Sequence, residues 1–254
     1  MNQAPQTSER EQSIQNQFSS RAPIYDGSAA WISDPGMLAL YVKLCQVSPD
    51  ATLLDVCTGT GKVGGSFRGR VKTLVGVDLT EGMLEKARER LDEVHVGRAE
   101  ALPFPDETFD IVIIRQALHF VDTPVAALRE MRRVLKTGGQ AIIGHRVPYG
   151  DVDAAWWEKV NRAKQPLIKH LLLDHTLVAA IEEAGFVDLT PENYYLWESI
   201  PHWLDSPEAR AGGSDVLAFY QSAPPEAVAA RGIEIGENEI RDRWRWLLVS
   251  CWKR

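Results

Sequence analysis

The sequence predicts an α/β fold built on a doubly wound, mainly parallel sheet. Three observations carry this reading. Short apolar stretches alternate with helical ones between residues 52 and 144, the pattern of successive βαβ units. One stretch, Phe109-Asp-Ile-Val-Ile-Ile114, is almost continuous in apolar side chains, as a strand covered on both faces requires. The first stretch ends in a glycine-rich turn, Thr58-Gly-Thr-Gly61, that leads into a helix. Right-handed crossovers wind such units into an open sheet, whose ligands lie beyond the carboxyl ends of the strands. Candidate functional residues are therefore those that follow each strand.

Taken in order, residues 1–17 are rich in Gln, Glu and Ser and are expected to fray. Residues 18–44 read as helical, broken near Pro23 and Pro35. Strands are expected at 52–56, 73–77 and 94–96, the second ending at Asp78. Residues 80–91 read as a helix with Thr80 as N-cap and Glu81 in the first turn. A strand at 109–114 precedes an amphipathic helix at 123–135, closed by Lys136-Thr-Gly-Gly139. A fifth strand follows at 140–144. Residues 147–174 interrupt the alternation and read as a cap of two short helices. A helix at 174–184, a strand at 186–189, mixed helix and loop over 191–240, and a last strand at 244–252 complete the chain.

Composition narrows the function. The 254 residues are 44% hydrophobic and 25% charged, which are globular values. Lys and Arg number 28 against 35 Asp and Glu, a net charge of −7, which argues against a duplex-binding face. No apolar run approaches the roughly 18 residues of a membrane span, and the first residues lack a signal-peptide core. Cys45, Cys57 and Cys251 are too few and too scattered for a disulfide framework or a structural zinc site. His170 and His175 lack further ligands at metal spacing, so no metal is expected. The expectation is a soluble cytoplasmic protein, monomeric or homodimeric, without nucleic-acid or membrane partners.

The turn Gly59-Thr-Gly61-Lys-Val-Gly64 fits G-x-G-x-x-G between strand and helix, a weak signal alone. Asp78 follows about twenty positions on, where a carboxylate accepts hydrogen bonds from ribose hydroxyls. Asp55 lies four positions before Gly59. In a dinucleotide site that neighbourhood faces a pyrophosphate, which a carboxylate repels. S-adenosylmethionine carries a sulfonium and an ammonium and no phosphate, so Asp55 favours it. The structural alternative is that Asp55 caps the loop or the following helix.

Here a resemblance enters. Leu54-Asp-Val-Cys-Thr-Gly-Thr-Gly61 resembles the first motif of the class I S-adenosylmethionine-dependent methyltransferases. Four further segments resemble that family in the right order: Val75-Gly-Val-Asp-Leu79, Ala99-Glu-Ala-Leu-Pro-Phe104, Phe109-Asp-Ile-Val-Ile113 and Arg133-Val-Leu-Lys-Thr-Gly-Gly139. Phe18-Ser-Ser-Arg-Ala-Pro-Ile-Tyr-Asp26 resembles the N-terminal pattern of the ubiquinone/menaquinone C-methyltransferase-like subgroup. The resemblance covers roughly residues 18–145. It implies a Rossmann-like sheet of seven strands with the last antiparallel, a helical N-terminal lid and a helical cap. One domain, 1–254, is expected: lid 1–45, cofactor-binding core 46–146, cap 147–174, and C-terminal helix, strands and acceptor-side insertion 175–254.

For the cofactor, S-adenosylmethionine, the resemblance implies Asp55, Gly59, Thr60 and Gly61 in the loop. It adds Asp78 and Leu79 at the ribose and Ala99 and Glu100 at the adenine. Arg98 stands where the family often has an acid. Arg21 and Tyr25 are candidates for the methionine carboxylate, and Gln116 for the cofactor's edge. For the acceptor, Arg115 is a candidate because the related quinone enzymes carry an Arg-Asn pair there; Gln116 departs from that Asn. His119 and His145 follow the fourth and fifth strands and suit a general base, with helix capping or packing as the structural alternative. Tyr25 is a fourth catalytic candidate. Trp156, Trp157, Trp197 and Trp203 line an acceptor pocket or simply pack. Cys57 reads as a small buried residue.

The expected function is methyl transfer to carbon or oxygen of a small molecule, such as an aromatic, quinol or natural-product intermediate. Three alternatives stay open: S-adenosylmethionine binding without methyl transfer, a nicotinamide-dependent oxidoreductase, and an RNA or protein methyltransferase.

Overall fold

The computed structural model describes residues 8–205 and 209–254. Helix α1 (Glu9–Arg21) opens with a capping box: the Ser8 hydroxyl accepts from the Glu11 N–H, and the Glu11 carboxylate accepts from the Ser8 N–H. Residues 9–17 are thus helical where fraying was expected; residues 1–7 lie outside the described residues. A 3-10 turn at Tyr25–Gly27 and helices α2 (Ala30–Ser33) and α3 (Pro35–Leu44) follow. Pro23 falls between these pieces, and Pro35 opens α3 at its first position, where no backbone N–H is needed.

The core alternates β1 (Thr52–Val56), α4 (Lys62–Gly65), β2 (Thr73–Asp78), α5 (Glu81–Ala87), β3 (Glu93–Val96), β4 (Phe109–Arg115), α6 (Pro124–Val134) and β5 (Leu135–Val147). Beyond it come α7 (Asp151–Lys164), α8 (Asp174–Glu183), β6 (Val187–Ser199), α9 (Ile200–Leu204), α10 (Ala209–Gln221), α11 (Pro225–Arg231), β7 (Glu234–Ile235) and β8 (Ile240–Trp252). The sheet order is β3-β2-β1-β4-β5-β8-β6, with β7 on β8. β1 to β5 pair in parallel. β8 runs antiparallel to both β5 and β6. The seven-stranded order with an antiparallel last strand is therefore present, with the two-residue β7 added.

Chain order reverses between β1 and β4, which lie side by side. A crevice opens beyond their carboxyl ends, the place where doubly wound sheets bind ligands. Successive strand residues feed opposite faces. Leu53, Ile111 and Ile113 pack with Met37 and Tyr41 of α3 on one side. Leu54, Val112 and Ile114 pack with Leu128 and Met131 of α6 on the other. Each such fully buried side chain contributes about 1.5–3 kcal/mol.

Three expectations need correction. β5 begins directly at Leu135, so the turn expected at 136–139 lies within the strand, paired at Leu135 with Phe109. The 147–174 segment holds one 14-residue helix, α7, rather than two short ones. β6 runs on to Ser199 because it pairs along β8. Its Pro191 is tolerated because β6 is the sheet's edge. The remainder of 191–240 forms α9 to α11 and β7. Pairing with β8 overrides local propensity there.

The cap is anchored by a buried ionic network. Arg231 donates to Asp242 (2.7 Å) and Asp153 (2.8 Å). Tyr220 and the Trp244 indole donate to the same Asp242 carboxylate, at 2.7 and 2.9 Å. Helices α7, α10 and α11 are thereby tied to β8.

Candidate functional site

The crevice holds a cleft of about 820 Å³, counting its open mouth. Gly59, Asp78, Leu79 and Ala99 line one wall; Ile14, Met83 and Val121 supply apolar surface. At the strand ends Cys57 and Gln116 hold φ of 53° and 54°, a left-handed conformation that costs non-glycine residues energy and recurs at functional sites. Asp78 Oδ2 accepts from the Gly59 N–H (2.9 Å) and Oδ1 from the Thr80 N–H (2.9 Å). Burial pushes its carboxyl up from the ordinary value.

Helix α1 roofs the cleft. Arg98 pairs with Glu11, and Arg10 reaches Asp122 (3.4 Å) and the Phe120 carbonyl (2.6 Å). At the other rim Asp26 accepts from Thr60 Oγ1 (2.5 Å) and Arg90 (2.8 Å). The lid is thus latched to both the glycine loop and the segment after β3.

The loop's own hydrogen bonds decide what it can cradle. Gly59 N–H goes to Asp78, Gly61 N–H to the Thr58 carbonyl, and Gly64 N–H to Asp55 Oδ2 at 2.9 Å. Asp55 Oδ2 also accepts from Thr58 Oγ1 (2.7 Å). A pyrophosphate loop points free N–H groups at its ligand. This one gives them to carboxylates and its own backbone, and so suits a cofactor without phosphate. The buried carboxylate of Asp78 and the apolar walls fit S-adenosylmethionine. Asp55 lines a narrower cleft beneath the loop with Thr60, Lys62 and Arg115. Burial raises its carboxyl to about 6.

A second compartment, about 560 Å³, adjoins the first and shares Phe18, Tyr25, Gln116 and Phe120 with it. His119, Arg146, Lys164 and Trp203 are among its other lining residues. Behind His119 lies His145, with His119 Nδ1 and His145 Nε2 3.0 Å apart. His145 Nδ1 lies 2.8 Å from the Arg146 carbonyl. A carbonyl only accepts, so His145 Nδ1 carries the hydrogen and Nε2 accepts from His119 Nδ1–H. His119 Nε2 is left as a bare lone pair. Burial lowers His119 well below the usual histidine range and His145 to about 4, so both rings are neutral near pH 7.

A methyltransferase-domain family matches residues 54–143. The ubiquinone/menaquinone biosynthesis C-methyltransferase UbiE of Stenotrophomonas maltophilia is 39% identical over 132 residues, 47% of this chain and 51% of that protein. The methyltransferase YcgJ of Bacillus subtilis is 32% identical over 157 residues, 59% of this chain and 62% of that protein. Its crystal structure covers 85% of this chain and 97% of its own, with a TM-score of 0.77 at 24% identity. The chain thus carries a methyltransferase domain over residues 54–143, and S-adenosylmethionine-dependent methyltransferases share its fold. It spans about half the length of the curated UbiE relatives it matches. The cyclase SpnF shares the fold over the whole chain, with a TM-score of 0.67 at 19% identity, so the fold by itself does not fix the chemistry.

The structure gathers Tyr25, Gly59, Asp78, Leu79, Ala99, Glu100 and Gln116 around the first cleft. Thr60 and Asp55 lie in the adjoining narrow cleft. Gly61 lies off both and turns the chain at φ 79°, where a Cβ would press on Ala87 at 3.2 Å. Glu100 accepts from the Asp122 N–H (2.7 Å).

Several placements differ from expectation. Arg21 faces the second compartment rather than the cofactor cleft, donating to Ser28 Oγ at 3.1 Å. Arg115 does not reach the second compartment; it donates to the Trp31 and Ile32 carbonyls of the lid at 3.3 and 3.1 Å. His145 lines neither cavity and stands behind His119. Of the four tryptophans, only Trp203 lines the second compartment; Trp156 and Trp157 pack in the core and Trp197 lies outside under Arg241. Sequence reasoning missed Asp26, Phe120, Arg146 and Lys164. Arg146 immediately follows His145 at a strand end, so the strand-end rule could have found it. Lys164 and Asp26 carry no comparable signal.

Proposed function

We propose that this methyltransferase moves the methyl group of S-adenosylmethionine to a small molecule held in the second compartment. The carrying observation is the shared wall of Phe18, Tyr25, Gln116 and Phe120, which leaves two cavities in contact. The cofactor supplies a methyl group already activated by its sulfonium. The chain's task is alignment and exclusion of water, and positioning alone can supply about 7–11 kcal/mol. Gln116 is held for this: its Oε1 accepts from the Arg146 N–H at 2.7 Å, and its backbone N–H donates to the Gly144 carbonyl at 2.9 Å. Tyr25 lines all three clefts and stays protonated, its phenol raised by burial. His119 Nε2 takes the proton that leaves the acceptor's carbon or oxygen. His145 fixes the tautomer that makes this possible and is a positioning residue.

The net charge of −7 favours a small acceptor over RNA. No helix among the described residues is long and apolar enough to cross a membrane. A cytoplasmic location and a monomeric or homodimeric state complete this reading. The test is incubation with S-adenosylmethionine and a panel of quinols, phenols and enolisable acids, followed by mass spectrometry. S-adenosylhomocysteine together with a methylated small molecule supports the reading. Turnover only with RNA, or a product formed without any acceptor, contradicts it.

A further inference from the structure

We propose that the second compartment selects planar acceptors carrying a negative charge, with a carboxylate bound by the Arg146 guanidinium. This rests on the methyl-transfer reading and names the acceptor class. Arg146 is only 9% exposed. Its Cζ lies 3.9, 4.6 and 5.2 Å from the rings of Trp244, Trp157 and Trp203. Among the described residues its one side-chain hydrogen bond is from Nη2 to Asn161 Oδ1, at 2.6 Å. Asn161 is turned for this, since its Nδ2 donates to the Trp157 carbonyl at 2.7 Å. No carboxylate of a described residue pairs with Arg146.

A guanidinium has five N–H donors, and a buried charge is expensive unless paired. The same cap shows what a purely structural arginine receives. Arg231, buried against Trp157 a few residues away in space, has both Asp242 and Asp153. The acids nearest Arg146 are committed elsewhere. Asp242 serves Arg231, Tyr220 and Trp244, and Glu198 accepts from the Ala30 N–H at 3.0 Å. Burial correspondingly lowers Arg146 to about 9, the mark of a cation short of an anion.

The compartment around it fits a flat anion. Its described lining includes Arg21, Arg146 and Lys164 and no Asp or Glu. Trp31, Phe120 and Trp203 offer flat apolar faces. Gln165 is 8% exposed, lines the same cavity, and its Oε1 has no hydrogen-bond partner. That oxygen is placed to accept from an N–H or O–H of the bound molecule. Arginine meets a carboxylate through two parallel hydrogen bonds, which would satisfy donors that the fold leaves open. His119 lies in the same wall, so an anion there would also ease its protonation during transfer.

The test uses the full chain saturated with S-adenosylhomocysteine, titrated with cinnamate and with the neutral isostere cinnamamide. Cinnamate should bind at least about tenfold tighter. In Arg146→Met that preference should vanish while S-adenosylhomocysteine still binds; Arg146→Lys should keep part of it. Equal affinities for the pair, or no binding of either, overturn the proposal even if Arg146→Met fails to fold. A chain that does not bind S-adenosylhomocysteine refutes the methyl-transfer reading beneath it instead.

Discussion

Each carboxylate oxygen of Asp78 accepts a backbone N–H, Oδ2 from Gly59 and Oδ1 from Thr80. We assign this carboxylate to the cofactor's ribose. Asp78→Asn turns one acceptor into a donor facing an N–H, and removes the charge. S-adenosylhomocysteine should then bind about tenfold more weakly by calorimetry, since hydrogen bonds to charged groups are worth about 1.5–3 kcal/mol; an unchanged affinity in a folded variant would remove Asp78 from the ribose site. Asp55 and Asp78 were both legible in the sequence because strand ends are fixed by topology. Which way they faced was not, and Asp55 proved to staple the loop through Thr58 and Gly64. The histidine pair makes a pH prediction. His145 titrates near 4 when folded against 6.5 ordinarily, so the unfolded chain binds the proton first. The stability it contributes is full above pH 6.5 and is lost as pH falls toward 4. Asp55, raised from 3.8 to about 6 by burial, acts in the opposite sense over the same window, its burial costing stability as pH rises. The destabilisation caused by His145→Ala should therefore be greatest at pH 7 and shrink by pH 4.5 in thermal melts. A penalty independent of pH would mean that the pair is not neutral in the native state.

The lid illustrates an element that the sequence revealed only in part: residues 18–44 read as helical, whereas residues 9–17 of α1 were expected to fray. Helix α1 is held by two ion pairs with at least one partly exposed partner, Arg98 with Glu11 and Arg10 with Asp122, and Lys169 shares the Asp122 carboxylate. Exposed pairs contribute about 0–1 kcal/mol each and weaken with salt, so this roof is suited to opening. Asp122→Asn removes the carboxylate on which three cations converge. The rate of S-adenosylhomocysteine release, followed by tryptophan fluorescence, should rise severalfold and lose most of its salt dependence, with the thermal midpoint nearly unchanged. Release that ignores both the substitution and salt would show that α1 does not gate the cleft. Motif-bearing elements were readable because glycine, proline and apolar periodicity act locally. α1 hid behind a polar composition, since its stability comes from a cap and from contacts with α5 and the segment after β3. β6 hid because its strand state depends on β8, some fifty residues away.

At the scale of the whole molecule, two cores sandwich one sheet, and a buried charge cluster helps to join the cap to it. Asp242→Ala would strand Arg231 among tryptophans with only Asp153 for company. Breaking such a buried pair costs about 3–5 kcal/mol, a large share of the 5–15 kcal/mol that holds a domain folded. Denaturant unfolding should report that loss; a change below about 1 kcal/mol would mean that the cluster is not desolvated. A doubly wound sheet with its ligands beyond the strand ends was legible from the alternation of strands and helices; the seven strands with the last antiparallel came from the family resemblance. The second compartment was not, because its walls come from the lid, β5, α7 and α9, which meet only in three dimensions. The central claim is that the crevice is built for a cationic, phosphate-free nucleoside. The most direct measurement is isothermal titration of the full chain with S-adenosylmethionine, S-adenosylhomocysteine and NAD. The account predicts micromolar binding of both sulfur nucleosides and none of NAD. Binding of NAD with no affinity for either sulfur ligand would contradict it.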